Sequence, residues 1–193
     1  MKITSGSEMT VLSRIDFIKG ACLLGMCGCF GTAHGADQTT GQTESEEIKR
    51  LRWRLDFVQE RFVKLLEILD QALDEPTMTR VLQEMGRACA RLNPQMVERF
   101  KGNLKGFLAY AQEQWVDKAE LDEPNRTIRI VDKSDKCYCS FARQGSTPGL
   151  FCECSKGWMS ENYSAIIGKP VEVTIEQSIL RGGARCGFLI RYA

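Results

Sequence analysis

The densest potential chemistry in this 193-residue chain lies in two Cys-x-Cys pairs, Cys137 with Cys139 and Cys152 with Cys154. Read as strands, Lys136–Phe141 and Leu150–Cys154 each put both thiols of a pair on one face, because strand side chains alternate sides. A hairpin that sets Cys137 opposite Cys154 also sets Cys139 opposite Cys152. Directly opposed residues lie about 4.5–5.5 Å apart, so four thiols would converge on one patch. A tetrahedral zinc with thiolates at about 2.3 Å, or an iron–sulfur cluster, would use such a patch. The spacing is tighter than the Cys-x-x-Cys knuckle of zinc ribbons. It leaves two disulfides, or plain buried thiols, open as alternatives.

The chain has one histidine, His34. Its position near the N-terminus argues against a Ser–His–Asp triad, a Cys–His pair, His-ligated zinc and His-held haem in the body of the chain. Chemistry there falls to thiols, carboxylates, lysines, tyrosines or a sulfur-bound metal. Charge divides along the chain. Residues 37–125 carry 13 Lys and Arg against 17 Asp and Glu, a net of −4; residues 126–193 carry 10 against 6, a net of +4. The overall charge of +1 supplies no field for nucleic acid, and no nucleic-acid motif, phosphate loop or internal repeat is present.

Residues 1–36 read as an export signal. Arg14 and Lys19 precede a weakly apolar stretch from Gly20 to Ala33, the length of a signal core and too short to span a bilayer. Ser13-Arg14-Ile15-Asp16-Phe17-Ile18-Lys19 resembles the twin-arginine signal, with Ile15 in place of the second arginine. Met26-Cys27-Gly28-Cys29 resembles a lipobox, so attachment to a membrane would go through lipid on Cys29. The expectation is an exported, extracytoplasmic protein, as a lipoprotein if Cys29 is modified.

The elements that must position the thiols follow. Residues 37–45 form a polar linker, and residues 46–123 a helical region. Ile48, Leu51, Leu55, Val58, Phe62, Leu65 and Leu69 recur three and four apart, predicting one long helix that ends near Glu75-Pro76. Its narrow seam leaves both a homodimer through this helix and packing inside a monomer open. A second helix carries Val81, Leu82, Met85, Cys89 and Leu92, with Cys89 on the apolar face. A third runs from Pro94 to Trp115, where Gly102 and Gly106 would admit a close helix neighbour.

After Pro124 the pattern turns to strands: Thr127–Val131, the two Cys-x-Cys segments, Pro170–Glu176 and Cys186–Tyr192, with a helix over Lys156–Ile167. The predicted fold class is α+β: N-terminal helices packed on or beside a largely antiparallel sheet, the cysteine-rich ligand- or metal-binding module spanning residues 126–193.

Cys154-Ser-Lys-Gly157, Gly168-Lys-Pro-Val-Glu-Val173 and Ser178-Ile-Leu-Arg-Gly-Gly-Ala-Arg-Cys186-Gly-Phe188 resemble the tail of the vinyl-reductase-type small-molecule-binding domain. The wider chain resembles a bacterial family often labelled L-2-amino-thiazoline-4-carboxylic acid hydrolase-like. The resemblance implies that Gly182 takes the turn glycine, Cys186 the last cysteine and Phe188 the core aromatic. Ser178 stands where that domain has a cysteine, and Gly183 where it has an aspartate.

The functional expectation is an exported metal- or small-molecule-binding protein. Cys137, Cys139, Cys152, Cys154 and Cys186 are its expected metal ligands, for zinc or an iron–sulfur cluster, and Arg181 and Arg185 would clamp a carboxylate ligand. The alternatives are a metal- or thiol-dependent hydrolase of a small cyclic amide or thiazoline-type substrate, with Glu153 or Glu161 as base, and a disulfide-stapled structural or interaction module.

Overall fold

The computed structural model describes residues 45–193; the expected export signal, Cys29 and all but the last residue of the linker lie outside the described residues. Four helices lead. α1 (Glu46–Ala72) is capped by Ser45, whose hydroxyl accepts from the Ile48 amide at 3.3 Å. α2 (Glu75–Arg91) is capped by Asp74, which accepts from the Thr77 amide at 2.7 Å, with Pro76 in the first turn. α3 (Pro94–Phe100) and α4 (Leu104–Gln114) follow. Then come β1 (Val116–Asp122), β2 (Thr127–Asp132), α5 (Cys152–Ile167), β3 (Val171–Gln177) and β4 (Gly187–Tyr192). The strands form one antiparallel sheet in the order β1-β2-β4-β3. The α+β class with an antiparallel sheet is as expected.

One face of the sheet is buried. Ile128 and Ile130 of β2, Val173 of β3, and Phe188 and Ile190 of β4 meet Phe107 and Ala111 of α4 and Met159, Tyr163 and Ile166 of α5. A second apolar cluster joins α1, α2 and the start of α5 through Leu66, Met78, Leu82, Phe151 and Cys154. α2 and α5 pack backbone to backbone. A Cβ on Gly86 would strike the Cys154 carbonyl and the Trp158 amide, and one on Gly157 would strike the Gln83 carbonyl. The close approach expected at Gly102 and Gly106 is therefore made elsewhere. Gly102, at φ +73°, bends the chain between α3 and α4, splitting the predicted third helix, and Gly106 lies under the Asn103 cap.

Three other expectations change. Residues 136–141 form no strand, and residues 150–154 enter a helix, so the C-terminal order is β-β-α-β-β. β1 lies within the stretch read as helical: Asp117, Lys118 and Glu120 leave an edge strand with little apolar signal, and a bulge after Val116 breaks its alternation. Cys89, expected on the apolar face of α2, is exposed.

Candidate functional site

The strand-to-helix change redistributes the thiols. Two residues apart on a strand share a face, but on a helix they point about 200° apart. Cys152 and Cys154, in the first turn of α5, therefore look in opposite directions. Cys154 joins the Leu66–Met78–Leu82 cluster, where Cys139 also packs. Cys152 turns toward the end of the sheet, and its Sγ lies 3.2 Å from the Ser178 hydroxyl, both groups buried. The expected four-thiol hairpin patch does not form.

A different set of residues meets at that end of the sheet. β2 alternates inward with Ile128, Ile130 and then Asp132, so a carboxyl occupies a core-facing position that the pattern reserves for an apolar side chain. Asp132 is 8% exposed, and its Oδ1 is buried without a hydrogen-bond partner. Its backbone amide donates to the Cys186 carbonyl at 2.9 Å, which fixes Cys186 beside it at the start of β4. Burial alone pushes the Asp132 carboxyl up to about 6. Tyr163 of α5 lies close enough to feel that charge, which adds to burial in raising its phenol.

Residues 133–148 cross over this end without regular structure, a length that loops in compact domains seldom reach without a role. The loop is tied down at several points. Gln59 of α1 donates to the Ser140 and Ala142 carbonyls at 2.8 and 3.3 Å, Tyr138 donates to the Trp115 carbonyl at 3.2 Å, and the Arg143 amide donates to Thr147 at 2.8 Å. It carries Cys137 to within electrostatic range of Cys152 and Cys186. Burial pushes the Cys137 thiol up to about 11 and the Cys154 thiol to about 12, with neighbouring thiols adding to both. Burial likewise raises Cys139 and Cys186, and Asp132 adds to the rise at Cys186.

These are neutral thiols at physiological pH, the reverse of the depressed thiolate that a cysteine nucleophile requires. Reaction with a small disulfide reagent is accordingly expected to be slow at pH 7.5 for Cys137 and Cys154, and to accelerate with each unit up to about pH 11. Rate measurements on single-cysteine-reactive peptides after digestion would read this directly; full labelling within minutes at pH 7 would contradict it.

The six described cysteines are free thiols. Among the described residues, no group of three or more His, Cys, Asp or Glu side chains is arranged to hold a metal ion. Beside Cys152 the near neighbour is the Ser178 hydroxyl, a poorer soft-metal ligand than a thiolate. As placed, the donors do not make a zinc or iron–sulfur cage.

Arg181 and Arg185 are both engaged by the protein. Arg181 donates to Glu153 at 3.0 Å and to the Gly149 carbonyl at 3.1 Å; Gln83 holds the other oxygen of Glu153 at 2.9 Å. Arg185 donates to Asp117 at 2.6 Å. Glu161 pairs with Arg91 at 3.3 Å. Arg181 thus latches the Gly182 turn, at φ +84°, onto the start of α5. Sequence reasoning missed Asp132. Its signal was the Ile-x-Ile-x-Asp run itself, a carboxylate in phase with the buried positions.

No family model and no curated protein matches the chain. Among solved structures it is similar to a trafficking protein particle complex subunit 3 from Naegleria fowleri covalently bound to palmitic acid, with a TM-score of 0.50 and 12% identity over 74% of this chain and 96% of that one. It also aligns with the phenol-responsive sensory domain of the transcription activator PoxR, with phenol, at a TM-score of 0.45 and 9% identity over 70% of this chain and 74% of that one. At 12% identity the first likeness establishes the fold alone: this chain has the α+β architecture of that trafficking-complex subunit.

Proposed function

We propose that this chain is a small-molecule-binding module whose ligand sits at the end of the sheet, against Asp132, Cys137, Cys152, Ser178 and Cys186, beneath the 133–148 loop. The observation that carries this reading is the unpartnered Asp132 Oδ1. A buried carboxyl without a partner lowers stability, and apolar replacement would remove that loss, so its presence points to a ligand that completes it. The ligand class follows from the chemistry: a largely apolar molecule with one hydrogen-bond donor, an amine or a hydroxyl, directed at the carboxyl. The fold is shared with a protein that carries palmitic acid, which supports an apolar ligand as compatible with this architecture.

A metal on Cys137, Cys152 and Cys186 is the alternative occupant; it would have to draw these thiols closer together than they stand, since among the described residues no three donors are arranged to hold an ion. Export, and lipid on Cys29, are further proposals that rest on residues 1–36 of the sequence. The testing experiment is a thermal-shift panel of primary amines, phenols, fatty acids and zinc, with metal content measured on the same sample. The expected result is stabilisation by donor-bearing apolar molecules, about 2.7 kcal/mol at a hundredfold excess over Kd. Stoichiometric metal would move the assignment to the alternative, and no shift with any probe would defeat both.

A further inference from the structure

The heptad stripe of α1 is used along only half its length. Phe62 and Leu69 pack on the cluster around Leu66, and the body of the protein reaches α1 as far as Gln59, held to the 133–148 loop by two hydrogen bonds. Residues 46–58 are exposed at every position. On this arm Ile48, Leu51, Leu55 and Val58 are 49%, 55%, 46% and 47% exposed. They continue the face that the body covers from residue 59 onward. A bare helical segment of this length is marginal in water, and an apolar stripe of this kind marks a contact surface.

We propose that the arm pairs antiparallel with the same arm of a second copy of this chain. Three features point to that occupant and that direction. Antiparallel register stacks Ile48 on Val58 of the partner subunit and Leu51 on Leu55 of the partner subunit, giving four apolar layers in the a and d positions of a heptad. The two bodies then lie at opposite ends of the paired arms, whereas parallel arms would drive both bodies into the space between the helices from residue 59 onward. The acidic start of each arm comes level with a basic group, Glu47 with Arg61 of the partner subunit. The like charges near the axis, at Arg52 and Arg54, sit on long stems that can direct their heads outward. Thirteen residues span about 20 Å. Such a contact buries on the order of 500 Å² per copy, about the 1,000 Å² total that a specific interface requires, and fits a reversible dimer with micromolar affinity.

Analytical ultracentrifugation of the full chain between about 1 and 200 µM tests this. The expected result is a concentration-dependent dimer. Leu51→Glu with Leu55→Glu should weaken it at least about 100-fold, since both leucines of each copy leave the interface. These side chains are exposed in the monomer, so circular dichroism should find the fold retained. Glu47→Arg and Arg61→Glu should each weaken the dimer, and the two together should restore it. A full chain that stays monomeric throughout, its arm covered by residues 1–44 or by another partner, would overturn the proposal. So would a dimer indifferent to the leucine substitutions, or charge reversals that fail to compensate.

Discussion

Gly86→Ala is expected to destabilise the protein by about 3–5 kcal/mol, lowering its melting temperature by roughly 10–15 °C. The position is a contact between two main chains. The nearest atoms to a new Cβ belong to the Cys154 carbonyl, with the Trp158 amide at 2.8 Å, and neither is the flexible end of a side chain. Relief requires moving α2 away from α5, and that motion opens the Leu66–Met78–Leu82–Phe151 cluster, which spans them. Gly157→Ala should cost a similar amount, because its Cβ meets the backbone of Gln83. Since both substitutions push the same two helices apart, the double variant should lose less than the sum of the singles. Urea denaturation of the four proteins reads each quantity. A loss near 0.5 kcal/mol, within the range of an ordinary surface change, would mean that the helices do not pack this closely.

Asp132→Asn should raise stability at pH 7.5 while weakening the site. The folded-state value of about 6 lies above the ordinary 3.8, so the native protein holds this proton more tightly than the unfolded chain does. The group therefore leaves stability untouched below about pH 4. It lowers stability as pH rises from 4 to 6, and above that the loss is constant at about 3 kcal/mol, an order-of-magnitude figure. The neighbours that feel the charge are Tyr163 on α5 and Cys186, just before β4, and neither ionises in that window, since burial raises both. Asparagine cannot ionise, so the variant should lose this slope between pH 4 and 6 and gain on the order of 1–3 kcal/mol at pH 7.5. Urea midpoints across pH 4–8 for both proteins supply the comparison. A variant that keeps the wild-type slope would show that Asp132 titrates normally.

The sheet was legible in the sequence where burial is one-sided. Ile128 and Ile130, Val171 and Val173, and Phe188 and Ile190 alternate cleanly, and the structure pairs these three segments as neighbours. The long α1 was legible for the same reason, through its seven-residue repeat. The misreadings have local causes. Leu150-Phe-Cys-Glu-Cys154 is too short for its period to be decided, and Phe151, Cys154 and Trp158 also fit a helix face. That one reversal moved Cys154 to a different cluster from Cys152 and dissolved the four-thiol patch. The close glycines were misplaced because Gly86 and Gly157 lie on different helices, a pairing that spacing along one helix cannot reveal. The meeting of Cys152 with Ser178 was not legible: the two residues lie 26 apart in sequence, and reading residues 150–154 as a strand set Cys152 opposite Cys139 instead.

The account turns on Asp132 as the polar anchor of a ligand. The most direct test is calorimetric titration, at pH 7.5, of the best-stabilising amine or phenol from the thermal-shift panel into the wild-type protein and into Asp132→Asn. The account predicts that the variant, although more stable, binds at least about tenfold more weakly, the loss of one charge-assisted hydrogen bond. Equal affinity in the two proteins would contradict it and remove the carboxyl from the site.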